Sequence, residues 1–282
     1  MTSTNRKVIV VTGASRGIGL AYVRHIVFLS KLDFQFDIVM TASKEQPLMA
    51  EFDKLLNEIN ENGLNHRLLP IVADLSENVI ESCRKIKEKI IETFESKIDT
   101  VLFNAAVLTP LKKVSNMSDD DYKELEKLFS VNLLSVIKLA NELIPMMNII
   151  DGKFFFMSSG AALKGMSACT GYCVSKAGLN MFCQTLALEN PHLFSLAISP
   201  GPVETRMQQF IRNYGHTEMS ANDYNYCIML HQDGKLNNTE LLAAKFINAC
   251  CLLAPREWNG EYLHIKDEKA INLINQYEKK FC

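Results

Sequence analysis

Residues 8 to 19 read VIVVTGASRGIG and run on into LAYVRHIVFLS, so a short apolar run gives way to a turn carrying Gly13, Gly17 and Gly19 and then to a stretch of helical period. An unbroken apolar run of this kind marks a strand covered on both faces, as in a parallel sheet. At such a junction the glycines have a physical use. Without Cβ atoms they permit a tight turn and let the backbone approach a ligand, while the free N–H groups opening the helix favour negative charge. A pyrophosphate is the expected occupant. The spacing is GxxxGxG rather than the commoner GxGxxG, but the strand, turn and helix context is the same.

Outward from this turn, short apolar runs alternate with longer helical stretches along the whole chain. Strands are expected at Lys7 to Thr12, Phe36 to Thr41, Arg67 to Ala73, Asp99 to Asn104, Lys153 to Ser158, Leu193 to Ser199 and Tyr262 to Ile265. Pro70 places the third at an edge, because it has no N–H to give a neighbour. Leu48, Phe52, Leu55, Leu56 and Ile59 recur at helical spacing, as do Val79, Cys83, Ile86, Ile90 and Phe94, and each set makes one apolar face for a sheet. The expected fold is therefore α/β and doubly wound, of Rossmann type, with a seven-stranded, mostly parallel sheet and helices on both faces. No linker or repeat divides the chain, so one domain is expected over 1–282, with a lid-like excursion of loops and short helices at about 204–236.

Composition narrows the partners. The 282 residues are 48% hydrophobic, enough for one large core, and 30 Lys and Arg against 32 Asp and Glu leave a net charge of −2. That balance gives no field to hold nucleic acid or an anionic membrane. No apolar run reads as long enough to cross a bilayer, and the polar N-terminal tail leads straight into a strand, so a cytoplasmic location is expected. The eight cysteines show no CxxC pairing, and the six histidines form no ligand spacing; neither disulfides nor a metal is expected. Sequons at Asn116 and Asn237 carry no meaning in a chain that stays in the cytoplasm.

After the second strand the chain reads Met40, Thr41, Ala42, Ser43, Lys44, where a site selective for NAD would place a carboxylate on the ribose. No acid stands there, and Ser15 and Arg16 lie in the glycine turn, where the guanidinium can reach a phosphate on the adenosine ribose. NADP(H) is expected over NAD(H). Farther on, Tyr172 and Lys176 stand four apart in GYCVSKAGLNMF, on one helix face. A neighbouring ammonium and a cationic nicotinamide both favour the phenolate, and so draw the phenol's pKa toward the range of a working acid or base. Ser159, thirteen residues before Tyr172 at the end of a strand, can hydrogen bond a substrate oxygen.

Taken together and in order, TGASRGIG at 12–19, Asp74 in ADL, Asn104 in NAA, Asn132 in SVN, Ser159, YCVSK at 172–176 and SPGPVET at 199–205 resemble the short-chain dehydrogenases/reductases over nearly the whole chain. The resemblance implies a catalytic tetrad of Asn132, Ser159, Tyr172 and Lys176, with Asn132 bending its helix around a water that relays protons to Lys176. It implies cofactor contacts from Gly13, Ser15, Arg16, Gly17, Ile18, Gly19, Ser43, Asp74, Leu75, Asn104, Ala105 and Ala106, with Asp74 on the adenine. Pro200, Gly201, Val203 and Thr205 are implied beside the nicotinamide. One departure stands out: Ala106 occupies a position where the family usually has glycine, and its methyl narrows the space beside the cofactor.

Within the family, WNGEYLHIKDE at 258–268 and the stretch before YCVSK are similar to the fungal benzil reductases and, beyond them, the sepiapterin reductases. The implied substrate is a small-molecule ketone or vicinal dicarbonyl. Ala161, Leu163, Met166, Met207, Phe210 and Ile211, with Ser159, are expected around it, although the apolar members serve equally to pack the lid. The family also implies a homodimer or homotetramer. An NAD-linked alcohol dehydrogenase on the same fold and a non-catalytic, NADPH-binding regulatory protein are the alternative readings.

Overall fold

The structure is a computed structural model that describes residues 6–29, 35–94 and 97–281. One seven-stranded sheet runs through it in the order β3-β2-β1-β4-β5-β6-β7. The strands are β1 (Arg6–Thr12), β2 (Gln35–Ala42), β3 (Arg67–Val72), β4 (Ile98–Phe103), β5 (Lys153–Met157), β6 (Phe194–Ser199) and β7 (Tyr262–His264). Every neighbouring pair is parallel, where the sequence reading allows for a mixed sheet. The strand with Pro70 lies at the edge, as its missing N–H requires.

Successive residues of β1 feed two different cores. Ile9 and Val11 pack with α1 (Gly17–Val27), α2 (Glu45–Glu61), α9 (Ala244–Leu253) and α10 (Glu268–Phe281) on one face of the sheet. Val8 and Val10 pack with α3 (Val79–Thr93), α5 (Ser135–Leu143) and α6 (Thr170–Glu189) on the other. This period-2 division explains why VIVV is apolar throughout. Phe154, Phe155 and Phe156 in β5 are all fully buried, and each contributes roughly 2 kcal/mol by leaving water. At the amino ends of the strands, opposite the crevice, the buried Asp37 carboxylate pairs with Arg6 and Arg67 and so ties β1, β2 and β3 together.

α4 (Asp119–Phe129) opens with a capping box, Ser118 accepting from the Asp121 N–H. It then passes through a π turn at Ser130–Leu134 into α5, so that one helical run extends from Asp119 to Met146. By length and composition alone this run is apolar enough to cross a membrane, where the sequence reading finds no apolar run long enough. Half of its most apolar window is buried inside the fold, against α3, α6 and the sheet. The excursion after β6 contains α7 (Arg206–Tyr214) and α8 (Ala221–Gln232). The seven described cysteines carry free thiols, while Cys282 lies outside the described residues. Among the described residues no group of His, Cys, Asp and Glu has metal-binding proximity.

Candidate active site

The strand order reverses between β1 and β4, which opens a crevice above their carboxyl ends. Gly13 and Gly17 adopt the left-handed region there, at φ +68° and +57°. A Cβ on Gly13 would stand 2.9 Å from Ala105 Cα, and one on Gly19 would stand 2.5 Å from the Gly13 carbonyl oxygen, so both positions exclude a side chain. Gly17 differs, because a Cβ there meets nothing within 4 Å. Its turn faces open space just where α1 begins, and Arg16, at the N-cap, gives that helix no side-chain cap. The amino-terminal N–H groups of α1 are thus free for an anion.

Asn104, expected to contact cofactor, holds this turn in place. Its Nδ2 donates to the carbonyls of Thr12 and Gly13 at 3.0 and 3.1 Å, and Thr12 Oγ1 accepts from the N–H groups of Asn104 and Ala105. Ala105 and Ala106 follow, both half-buried. Among the described residues only Asn78 and Ala168 are non-glycine positions of positive φ, so Ala106 fills the family's glycine position without backbone strain. Ile18 is half-buried in the first turn of α1, and Ser15 is half-buried in the glycine turn. Arg16, Ser43 and Lys44 are exposed on the neighbouring loops that end β1 and β2. Asp74 is exposed and Leu75 buried; one Asp74 oxygen accepts from both the N–H and hydroxyl of Ser76.

A chain of hydrogen bonds runs from this loop toward α6. The Asn132 carboxamide sits inside the π turn, accepts from the Val107 N–H and donates to the Val107 carbonyl, both at 2.9 Å. It also donates to Ser175 Oγ at 3.2 Å, and Ser175 in turn donates to the Tyr172 carbonyl. The Asn132 side chain therefore joins Val107 to α6. Lys176 is 2% exposed, donates to the Met157 carbonyl at 2.7 Å and lies 5.6 Å from the Tyr172 ring centroid. Ser159, immediately past β5, accepts from the Ala161 N–H and lies in hydrogen-bonding contact with Tyr172.

The electrostatics correct one expectation. Burial pushes the Tyr172 phenol up to about 12, Ser159 partly opposing it and the Cys169 and Cys173 thiols adding to it. The sequence reading has the phenol drawn downward by Lys176 together with a cationic nicotinamide; the upward shift is that of the protein side alone. Desolvation wins instead, and it also brings the Lys176 ammonium down to about 8. Tyr172, half-buried, thus holds its proton firmly.

Past β6, Pro200 and Val203 are buried, Gly201 takes φ +70°, and Thr205 caps α7 by accepting from the Gln208 N–H. The excursion folds back over α6. Met166, Met207, Phe210 and Ile211 gather with Tyr172 and Cys173 in one apolar cluster. Ile211 is only 3% exposed and packs that cluster from inside. Ala161 lies outside it, beside Ser159, and Leu163 is 70% exposed on the loop before α6. Three supporting residues escape the sequence reading: Thr12, which sits within the quoted glycine motif; Ser175, within YCVSK; and Met157, which acts through its carbonyl and leaves no side-chain signal. A separate concavity of about 660 Å³ lies between the end of α6 and residues 259–262, lined by none of these groups.

Residues 7–214 match the model of the short chain dehydrogenase family. An uncharacterized oxidoreductase of Schizosaccharomyces pombe is 34% identical over 84% of this chain and 87% of its own. A benzil reductase ((S)-benzoin forming) of Saccharomyces cerevisiae is 30% identical over 93% of this chain and 97% of its own. The crystal structure of a short chain dehydrogenase/reductase from Saccharomyces cerevisiae superimposes with a TM-score of 0.80 at 29% identity, covering 95% of this chain and 99% of that one. A Rossmann-type sheet, a glycine turn fixed by Asn104, and Ser159, Tyr172 and Lys176 converging beside it agree with these matches: the chain is an oxidoreductase that belongs to the short chain dehydrogenase family.

Proposed function

We propose that this chain is an NADP(H)-dependent carbonyl reductase that acts on ketones and vicinal dicarbonyls of the benzil or sepiapterin kind. One observation carries the reading: hydrogen bonds through Asn104, Val107, Asn132 and Ser175 couple the glycine turn to a helix on which a protonated phenol stands beside a buried ammonium. The open space before Gly17 and the uncapped start of α1 fit a pyrophosphate. Exposed Arg16, Ser43 and Lys44, with no carboxylate ending β2, support a phosphate on the adenosine ribose. The similarity to a benzil reductase supports the dicarbonyl class.

In this mechanism the reduced nicotinamide supplies the hydride. Ser159 donates a hydrogen bond to the substrate carbonyl oxygen and Tyr172 delivers the proton to it from its hydroxyl. A phenol near 12 is in its acid form throughout the physiological range, which suits the reductive direction. Lys176 sits beside the ring to hold the ribose and to favour the phenolate once the proton has left. Asn132 keeps Val107 and α6 in register. Met166, Met207 and Phe210 exclude water and present an apolar, polarizable wall to an aryl ketone.

Free thiols support a reducing, cytoplasmic location. Exposed Leu134, Ile137, Val174 and Met181 on the helical run of α4 and α5 and on α6 support a dimer or tetramer joined there. The test is a panel of dicarbonyls, pterins and ketosteroids assayed with NADPH and NADH. Oxidation of NADPH in step with loss of benzil, reduced at least tenfold for Arg16→Ala but unchanged with NADH, is the expected result. Cofactor binding without turnover across the panel refutes the reductase reading.

A further inference from the structure

The excursion after β6 begins and ends at the same place. The chain leaves at Glu204, makes α7 and α8, and returns at Asn237 to pair in parallel with Val203. Asn237 then grips the departing loop three times. Its N–H donates to the Pro202 carbonyl at 2.8 Å, its carbonyl accepts from the Glu204 N–H at 3.1 Å, and its Nδ2 donates to the Pro200 carbonyl at 2.7 Å. Thr239 adds a bond from its hydroxyl to the Glu204 carbonyl at 3.0 Å.

The composition of the loop makes this grip consequential. Pro200 and Pro202 have no N–H, so the loop holds few donors with which to fix itself. Gly201 leaves room for the Asn237 carboxamide, which lies 3.2 Å from where a Cβ would stand. In an extended segment alternate residues direct their N–H and C=O to opposite sides. Because Pro202 and Glu204 face Asn237, Val203 directs its own backbone groups to the other side. The Asn237 and Thr239 side chains of the sequon are thus both hydrogen bonded within the protein.

We infer that Asn237 is a positioning residue for the nicotinamide half of the cofactor: it fixes the 200–204 loop from behind so that the Val203 N–H is presented to the carboxamide, and it makes the neck of the lid part of that loop. The inference rests on the proposed dinucleotide site. It assigns to Asn237 no contact with the adenosine half, which lies on the side of Arg16 and Ser43. Replacing the donor by a carboxylate, Asn237→Asp, sets an oxygen against the Pro200 oxygen, while Asn237→Ala removes the bond without that repulsion.

The experiment is calorimetric titration of the full chain with NADPH and with 2′-phospho-ADP-ribose, which lacks the nicotinamide. Asn237→Asp is expected to weaken NADPH binding about tenfold and Asn237→Ala about fivefold, the scale of one hydrogen bond, with 2′-phospho-ADP-ribose unchanged in both. Amide hydrogen exchange at Glu204 and Asn237, whose N–H groups are bonded across the neck, is expected to quicken in both variants without ligand. Should NADPH bind both variants as tightly as it binds the parent, or should the two probes weaken together, Asn237 has no such role. A parent chain that binds neither probe refutes the dinucleotide reading, and this one with it.

Discussion

Lys176 is the clearest case in which the site works against the stability of the fold. Its ammonium is 2% exposed and held by one carbonyl, and burial alone brings its pKa from 10.5 to about 8. That difference corresponds to roughly 3 kcal/mol of folding free energy lost wherever both states are protonated, that is, below about pH 8. Lys176→Met keeps length and removes the charge, at a cost of about 1 kcal/mol for the hydrogen bond to Met157. The variant is therefore expected to be inactive yet about 2 kcal/mol more stable near pH 7. The sign of the pH dependence follows from the depressed folded value. Between about pH 8 and 10.5 the unfolded chain keeps a proton that the folded chain has given up, so the parent gains stability as pH rises and the advantage of the variant shrinks to under about 0.5 kcal/mol near pH 9.5. Urea denaturation of both proteins across this range is the assay. A variant no more stable than its parent near pH 7, or an advantage that does not change with pH, refutes the reasoning.

Two further outcomes follow from the same geometry. Tyr172→Phe keeps the ring and removes the proton donor, so turnover is expected to fall by about 10³ while NADPH affinity stays within about twofold; stopped-flow reduction and fluorescence titration read the two separately. Gly17→Ala places a methyl in open space at φ +57°, so the chain is expected to fold with a penalty of about 1 kcal/mol but to lose pyrophosphate binding, whereas Gly19→Ala collides with the Gly13 carbonyl and is expected to fail in folding itself. A Gly17→Ala protein that bound NADPH like the parent would remove the phosphate from that turn.

The parts legible in the sequence are those governed by local pattern. VIVV had to be buried on both sides, Pro70 had to lie at an edge, and Tyr172 and Lys176 had to share a helix face, since each follows from period or from a missing donor. What stayed hidden depends on contacts far apart in the chain. Whether the phenol moves up or down is decided by desolvation in a cluster drawn from the 108–111 loop, α6, α7 and α8, which no spacing reveals. Local pattern around Asn132 is that of ordinary helix and only the resemblance implies a bend there; the partner of its carboxamide, Val107, lies 25 residues away. Leu163 and Met166 look alike in sequence, but the tight turn at Gly160–Ala162 leaves the first outside and the second against Tyr172.

Direct transfer of hydride to a carbonyl carbon is the step on which everything else depends. The measurement is reduction of benzil by the intact protein with NADPH carrying deuterium at C4 of the nicotinamide, on one face and then on the other, followed by mass spectrometry of the benzoin. Deuterium on the carbinol carbon from one face of the cofactor only, in one-to-one yield with NADPH consumed, is the predicted result. Benzoin that carries no label from either face, or no benzoin with either labelled cofactor, would contradict it.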